Sequence, residues 1–103
     1  MDPTEAVYDV VRSVPAGKVV TYGQVAGMAE GISLTPRQVG GIMTITPPDV
    51  PWQRVVGAGG HLPIGKRSPE LKLRQRSLLE GEGVAFRLNG CVDMDAHQWR
   101  PYE

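Results

Sequence analysis

The residues that could do chemistry lie near the middle of the chain, in Pro51-Trp52-Gln53-Arg54. The segment follows Pro47-Pro48 and leads into a glycine-rich run at 57–60, so it is too short and too proline-bounded to be a helix. It therefore presents a bulky aromatic side chain, Trp52, at a fixed place. A tryptophan of this kind either packs in a core or lines a binding site, and its residue type alone does not decide between them.

Nothing else in the sequence resembles a catalytic or metal-binding constellation. Cys91 is the only cysteine, which excludes an internal disulfide and a cysteine-rich zinc site, and it reads as a packing residue rather than a nucleophile. His61 and His97 are far apart and lack ligand-spaced carboxylates or thiols. We therefore expect no metal and no cofactor.

The charges cancel overall but not locally. Eleven basic residues balance eleven acidic ones, yet six basic residues against one acid, Glu70, give residues 54–76 a net charge of +5. The acids gather near the two ends of the chain. Such a segment can present a basic face to phosphates.

Length and composition indicate one domain, residues 1–103, with a single hydrophobic core. There is no apolar run long enough to span a membrane and no signal peptide. We expect a monomer without a membrane partner, which is cytoplasmic and nucleoid-associated in a bacterium or nuclear in a eukaryote.

The first half of the chain predicts three helices. The first covers about residues 3–14 and is capped by Asp2; the second runs from a capping box at Thr21 to about Glu30. The third runs from a capping box at Thr35 to about Ile45. A loop of about four residues between the last two is typical of a helix-turn-helix, although a generic helical hairpin has the same spacing.

Two residues of the third helix suggest contact with something large. Arg37 lies in its first turn, the position from which such helices touch nucleic acid, although it could equally be a solvated arginine. Gly40 and Gly41 each cost about 1 kcal/mol relative to alanine in a helix interior. We expect their face to lie against either a neighbouring helix or a DNA groove.

The second half predicts a helix and a hairpin. The helix, begun by Ser68-Pro69-Glu70, runs from Leu71 to about Glu82, with Leu71, Leu78 and Leu79 inward and Lys72, Arg74 and Arg76 outward. A β-hairpin then turns at Asn89-Gly90. The predicted fold class is α+β, mainly helical: a winged-helix-like DNA-binding domain with a helix-turn-helix and a small C-terminal β-hairpin.

Three segments together resemble a known family. They are 14–26 (Val-Pro-Ala-Gly-Lys-Val-Val-Thr-Tyr-Gly-Gln-Val-Ala), 37–43 (Arg-Gln-Val-Gly-Gly-Ile-Met) and 51–56 (Pro-Trp-Gln-Arg-Val-Val). In order and spacing they resemble the C-terminal domain of O6-alkylguanine-DNA alkyltransferases, from about Tyr8 to Val84. That family removes an alkyl group from guanine by accepting it on the cysteine of a Pro-Cys-His-Arg motif.

The chain departs from the family at the reacting atom. Trp52 stands in place of the cysteine and Gln53 in place of the activating histidine. An ungapped match places the glutamate of the activation network at Arg76, so all three parts are expected to be absent, and Cys91 lies outside the motif. With tryptophan at this position the chain resembles the alkyltransferase-like proteins, in which a histidine more usually follows the tryptophan.

The resemblance implies a non-enzymatic sensor. It would bind O6-alkylguanine in double-stranded DNA through the minor groove, flip the lesion into a pocket and direct it to nucleotide excision repair proteins. The DNA-binding set carried over by the resemblance is Tyr22, Arg37, Gly40, Gly41, Met43 and Arg54. The lesion-pocket set is Trp52, Gln53, Val55, Lys66 and Arg67.

Within these sets the resemblance assigns individual roles. Arg37 enters the vacated stack, Tyr22 presses on the adjacent phosphate, and the backbone around Trp52 and Val55 reads the guanine edge. Either Lys66 or Arg67 stacks over the flipped purine, or both simply contact phosphates.

Two other functions stay open. One is an enzyme that releases the alkyl group by hydrolysis with a water in place of the thiol, although Gln53 cannot act as its general base. The other is a winged-helix regulator that recognises DNA sequence rather than damage.

Overall fold

The computed structural model describes residues 3–29 and 31–101. That part of the chain is mainly helical, as predicted, with a two-stranded parallel sheet between the helices. The helices and strands, in chain order, are α1 (Pro3–Ser13), β1 (Val20–Thr21), α2 (Tyr22–Met28), α3 (Pro36–Ile42), β2 (Val55–Val56), α4 (Pro69–Gly81) and α5 (Met94–His97).

Helix α1 forms where the sequence predicts it, ending one residue earlier at Ser13. Its apolar residues bury one face, on which Val7 and Val11 are fully inaccessible to solvent. The predicted N-cap, Asp2, lies outside the described residues. The helix therefore serves as the packing support for the two helices that follow.

Both predicted capping boxes are present. The Thr21 hydroxyl accepts from the backbone N–H of Gln24 at 3.0 Å, and the Gln24 side chain accepts from the backbone N–H of Thr21 at 3.0 Å. Thr35 and Gln38 make the same pair of bonds at 3.2 and 2.8 Å. These bonds satisfy the free N–H groups at the start of α2 and α3 and fix where each helix begins.

The ends of these helices differ from the prediction. Helix α2 ends at Met28 and α3 at Ile42, so the connection between them has seven residues rather than about four. Glu30, the predicted end of α2, lies outside the described residues. At the end of α3 the Thr44 hydroxyl donates to the Gly41 carbonyl at 2.7 Å, closing the last turn early.

The parallel pairing of β1 with β2 was not predicted, and it organises the core. Val20 pairs with Val55, and Thr21 with Val56. Because successive side chains of a strand point to opposite faces, Val20 and Val55 pack with α1, α2 and α3, whereas Val19 and Val56 pack in a second cluster that includes α4. The ladder thus ties the helix-turn-helix to the C-terminal half directly beside Trp52.

Helix α4 begins at Pro69 with Ser68 as its N-cap, but its buried face is rotated from the predicted one. Leu79 is buried as predicted; Leu71 and Leu78 are 41% and 37% exposed, so their inward placement was wrong. Gln75 takes the buried position instead, at 2% exposure. Its side chain donates to the backbone carbonyls of Gln53 and Val55, and hydrophobic spacing cannot reveal that these acceptors need a polar partner.

The C-terminal hairpin is reduced to one antiparallel bridge, Phe86 with Val92. Its turn is closed by a bond from the Gly90 N–H to the Arg87 carbonyl at 2.9 Å, so the central residues are Leu88 and Asn89. The predicted Asn89-Gly90 turn was therefore wrong by one residue. Within this turn only Gly90 adopts a positive φ, +88°, and Leu88 is fully exposed at the tip.

The C-terminal segment returns to the helix-turn-helix. Trp99 packs against the first cluster, and its carbonyl accepts from the Gln24 side chain at 2.7 Å. Tyr102 lies outside the described residues. Across the described ranges, every helix is too short or too polar to cross a membrane.

Candidate nucleic-acid interface

Trp52 is presented by a single 3-10 turn, Trp52–Arg54, in a segment predicted to be non-helical. The Trp52 N–H donates to the Val50 carbonyl at 2.8 Å and the Arg54 N–H to the Pro51 carbonyl at 3.0 Å. The Val55 N–H bonds back to the Trp52 carbonyl as the strand begins. The backbone of the turn is thus bonded within itself, and Trp52 is partly exposed on its outer side.

The inner side of the turn is held by Glu82, the residue that follows α4. Its carboxylate accepts from Arg54 Nε and Nη2 at 3.0 Å each and from the Gln53 amide at 2.8 Å. Arg54 Nη1 also donates to the Val14 carbonyl at 2.8 Å. With side-chain exposures of 18% and 15%, Arg54 and Glu82 form a partly buried ion pair.

Arg54 therefore belongs to the framework and not to the DNA-contacting surface to which the sequence assigned it. Its guanidinium faces the inner side of the turn, where Glu82 and Val14 accept its hydrogen bonds. Gln53 is also directed to Glu82 and does not line the cleft described below. A Pro-X-X-Arg sequence gives no indication of which way its arginine turns.

The placement of the family's glutamate at Arg76 was wrong. A carboxylate does lie against Gln53, and it is supplied by Glu82. Arg76 instead stacks over the Phe86 ring at 4.6 Å and lies 3.7 Å from Glu80. The ungapped match along α4 placed the glutamate six residues too early. Two parts of the activation network, the cysteine and the histidine, therefore differ from the family, and not three.

The electrostatics of Glu82 reflect two opposing effects. Burial alone would raise the pKa of the Glu82 carboxyl, but hydrogen bonds from Arg54 and Gln53, together with the Arg54 charge, hold that pKa below its usual value. Glu82 is therefore ionised at neutral pH. A carboxylate bonded in this way is an anchor for the turn and is not positioned to take a proton from a ligand at Trp52.

Gln75 supports the same turn from α4. Its amide donates to the Gln53 carbonyl at 3.1 Å and to the Val55 carbonyl at 2.9 Å. Val55 itself is 1% exposed, and its N–H and carbonyl are both bonded within the protein. Val55 is not among the residues that line the cleft described below, and the expected contact between its backbone and a guanine edge stays a prediction.

The outer side of the turn opens into a cleft of about 1000 Å³. One wall is formed by α2 and α3, the other by the segment from Gly57 through the start of α4, and Trp52 lies between them. The cleft contains six of the predicted site residues: Tyr22, Arg37, Gly40, Met43, Trp52 and Arg67. Gly41 and Lys66 are exposed nearby but do not line it.

The charged side chains lining this cleft are three arginines, Arg37, Arg67 and Arg74. Within residues 3–29 and 31–101, none of them makes a side-chain hydrogen bond or salt bridge, and all three are exposed. Elsewhere, Arg12, Arg54, Arg76 and Arg87 each pair with one or more carboxylates. The cleft thus offers uncompensated positive charge beside an aromatic surface.

Tyr22 lies at the start of α2, on the wall that also carries Arg37. Burial raises the pKa of its phenol, and the Arg67 charge lowers it in part. The hydroxyl is therefore protonated at neutral pH and can donate a hydrogen bond. Its proximity to Arg67 creates a pair of donors suited to an anion.

Gly40 and Gly41 meet open space. A Cβ built on either residue finds no described atom within 4 Å beyond its own helix and chain neighbours. The interpretation that a neighbouring helix requires these glycines is therefore wrong. The interpretation that they face a DNA groove stays a prediction.

Several cleft residues were missed by sequence reasoning. His61 lines the cleft, with Nδ1 2.9 Å from the Ala58 carbonyl, and its ring lies so close to Gly57 that a Cβ there would be 2.1 Å away. Arg74, Leu71 and Ile45 also line it. Arg74 and Leu71 share one flank of α4, a juxtaposition that their three-residue spacing could have indicated.

Among the residues that the structure describes, no group of three His, Cys, Asp or Glu side chains could hold a metal ion. Cys91 lies in the turn of the hairpin, where its N–H bonds the Asn89 side chain at 3.0 Å, and it is not among the cleft residues. Trp52 has no nucleophilic atom. The cleft can therefore bind a ligand, but its described lining contains no thiol that could react with that ligand.

Comparison with known proteins gives a consistent result. A family model described as the DNA-binding domain of 6-O-methylguanine DNA methyltransferase matches residues 2–84. The chain is 37% identical over 97 residues to the DNA base-flipping protein of Escherichia coli, covering 92% of this chain and 72% of that protein. It is 36% identical over 102 residues to alkyltransferase-like protein 1 of Schizosaccharomyces pombe, covering 92% of each.

Solved structures agree with this match. The crystal structure of S. pombe Atl1 in complex with damaged DNA containing O6-carboxymethylguanine superposes with a TM-score of 0.80 at 35% identity. The similarity covers 95% of this chain and 94% of that one. The mainly helical fold class predicted from the sequence is thereby confirmed.

Proposed function

The chain belongs to the family of 6-O-methylguanine DNA methyltransferase DNA-binding domains, and from that premise we propose that it is a DNA-damage sensor without transferase activity. It binds O6-alkylguanine in duplex DNA, flips the altered nucleotide into the cleft beside Trp52 and leaves the alkyl group in place. The bound complex then directs the lesion to nucleotide excision repair.

The observation that carries this proposal is the contrast at the 3-10 turn. The inner side of the turn pairs Arg54 with Glu82. The outer side presents Trp52 to a cleft lined by Arg37 and Arg67, which make no ion pair among the described residues. The damaged DNA in the Atl1 complex supports the ligand class. An aromatic wall with surrounding cations suits a flipped base, because bases stack on indole and phosphates accept from guanidinium groups.

The resemblance gives each residue of the interface a role, and the places of these residues support that assignment. Arg37, in the first turn of α3, enters the base stack that the flipped nucleotide leaves, and Tyr22 donates to the adjacent phosphate. Gly40, Gly41 and Met43 lie in the minor groove, where the open space over the glycines lets the DNA backbone approach closely. Flipping costs a few kcal/mol, and this cost is smallest at a weakened, damaged pair.

Arg67, rather than Lys66, is the cation over the flipped purine. Arg67 lines the cleft and acts electrostatically on Tyr22, whereas Lys66 is exposed outside it. A guanidinium stacked on the purine face responds to the electron distribution that alkylation changes. Lys66 is left to contact phosphate.

The test is a titration of a short duplex containing O6-methylguanine and of its unmodified twin at the same stated salt concentration, followed by mass spectrometry of protein and DNA. The proposal predicts tighter binding to the damaged duplex with both masses unchanged. Loss of the methyl group from the DNA would mean that the protein is an enzyme. Equal affinities would leave a DNA binder that does not recognise damage.

Coupling to excision repair has its own test. The rate of incision at O6-alkylguanine by a reconstituted excision system should increase when the protein is added, and the Arg37→Ala variant should lose that increase. An incision rate that does not respond to the protein would contradict this part of the proposal.

A further inference from the structure

One charged group in the cleft has no part in the contacts proposed above. Arg74 lies on α4, lines the cleft and is exposed. Glu70, one turn earlier on the same helix, does not form a salt bridge with it within the described residues, whereas Arg76 does pair with Glu80 at the same four-residue spacing. An arginine that leaves the one carboxylate within reach on its own helix unused points to a ligand from outside the chain.

The cleft that Arg74 lines also carries exposed aliphatic side chains. Leu71, one turn before it, and Ile45, three residues beyond the end of α3, both line the cleft and are 41% and 80% exposed. The Tyr8 hydroxyl donates to the Ile45 carbonyl, which anchors that segment to α1. Two exposed aliphatic side chains at fixed places can cover the hydrocarbon part of a ligand.

The order along the wall is set by the helix. Ser68 caps α4, Leu71 follows, and Arg74 comes next on the same flank. With a rise of 1.5 Å per residue, the Arg74 backbone lies roughly 4.5 Å beyond that of Leu71 and roughly 9 Å beyond that of Ser68. A ligand extending along this wall meets an aliphatic surface first and a cation after it.

The size of the cleft allows such an extension. Its volume of about 1000 Å³ is at the upper end of the range of pockets that accept drug-sized molecules. A flipped guanine with a methyl group is smaller than a drug-sized ligand. Part of this volume borders Arg37, Gly40 and Met43, which the proposed function places against the DNA, and the part that borders Leu71 and Arg74 is left for the alkyl group.

We propose that Arg74, with Leu71 and Ile45, forms a subsite for the far end of the alkyl group and selects adducts that end in a carboxylate over neutral adducts of the same shape. This inference rests on the proposed function and names the class of lesion. Because the charged side chains lining the cleft are arginines, no carboxylate lining it opposes an anionic end. A charge-assisted hydrogen bond donated by Arg74 would stabilise the bound carboxylate.

The experiment compares two isosteric lesions. Duplexes carrying O6-carboxypropylguanine or its amide, O6-carbamoylpropylguanine, are titrated alongside O6-methylguanine and unmodified duplexes at one salt concentration. The wild-type protein should prefer the carboxylate over the amide on the order of tenfold, the size expected for one charge-assisted hydrogen bond. Arg74→Gln should abolish this preference while leaving affinity for the methylated and unmodified duplexes within about twofold.

The matched control is Lys72→Gln, which removes an exposed cation from the same helix; Lys72 makes no ion pair among the described residues and does not line the cleft. It should keep the carboxylate preference. If Arg74→Gln instead weakens all four duplexes by the same factor and flattens their salt dependence, Arg74 is a phosphate contact and the inference is overturned.

A wild-type protein that does not distinguish carboxylate from amide also overturns it. If even the methylated duplex binds no more tightly than the unmodified one, the proposed function itself fails.

Discussion

The two sides of the Trp52–Arg54 turn use arginine in opposite ways. On the inner side Arg54 is bound by Glu82 and by the Val14 carbonyl, with little exposure. On the outer side Arg37, Arg67 and Arg74 surround a cleft without any ion pair among the described residues. The inner charges are neutralised within the protein and set its geometry; the outer ones are left for a ligand that brings negative charge.

The largest expected effect falls on the inner side. Glu82→Gln leaves the Arg54 charge partly buried without its partner, which should lower the free energy of unfolding by about 2–3 kcal/mol. Urea denaturation measures it. The control, Glu80→Gln, removes an exposed partner of Arg76 and should cost at most about 0.5 kcal/mol. Equal losses for both variants would mean that the inner pair is not the anchor of the turn.

On the outer side, Arg37→Ala should weaken binding to the damaged duplex by about 1–3 kcal/mol, because the side chain no longer fills the vacated stack. Its thermal midpoint should stay unchanged, since Arg37 is exposed and makes no described hydrogen bond or salt bridge. An unchanged affinity at a fixed salt concentration would contradict the proposal that Arg37 fills the base stack vacated by the flipped nucleotide. A lower thermal midpoint would instead show that the outer arginines also support the fold.

Substitution of a glycine in α3 should change protein stability and DNA affinity in opposite directions. Gly40→Ala places a methyl group in open space within a helix, so it should raise the free energy of unfolding by about 0.5–1 kcal/mol. The same methyl group should obstruct the DNA groove and lower affinity for both duplexes. A variant that is more stable and binds DNA as tightly as the wild type would exclude Gly40 from the interface.

The smallest effect near neutral pH comes from titrating Glu82. Its folded-state pKa is depressed, so its contribution to stability is complete above the unfolded-state value and is lost as pH falls through the folded-state value. The stability difference between the wild type and Glu82→Gln should therefore be constant above about pH 5 and shrink below it. A difference that stays constant down to acid pH would show that Glu82 has the same pKa in the folded and unfolded protein, and that its bonds to Arg54 and Gln53 do not favour the ionised form.

Local sequence signals predicted the helix starts well, because they act within four residues. The capping boxes at Thr21 and Thr35 fixed α2 and α3, and the spacing of Val7 and Val11 fixed α1. The β1–β2 ladder escaped prediction because Val20 and Val55 are 35 positions apart and each strand has two residues. Periodicity has nothing to detect in strands of that length.

Sequence reasoning predicted several of the residues that line the cleft on the outer side of the turn, but it missed the contacts that hold the turn from its inner side. The resemblance led to Tyr22, Arg37 and Trp52, all of which line one cleft. It did not reveal that Arg54 turns inward or that the Glu82 carboxylate accepts its hydrogen bonds, because the direction of a side chain depends on partners distant in sequence. Arg74 was expected only to be on the outer face of its helix, and its position in the cleft depends on how α4 packs.

The measurement that tests the account most directly is the ratio of affinities for the O6-methylguanine and unmodified duplexes, determined for the wild type and for Trp52→Ala at one salt concentration. The account predicts that the ratio falls to about one in the variant, while affinity for unmodified DNA is retained, because the indole contacts only the flipped base. A ratio that survives the loss of Trp52 would contradict the claim that the outer side of this turn recognises the lesion.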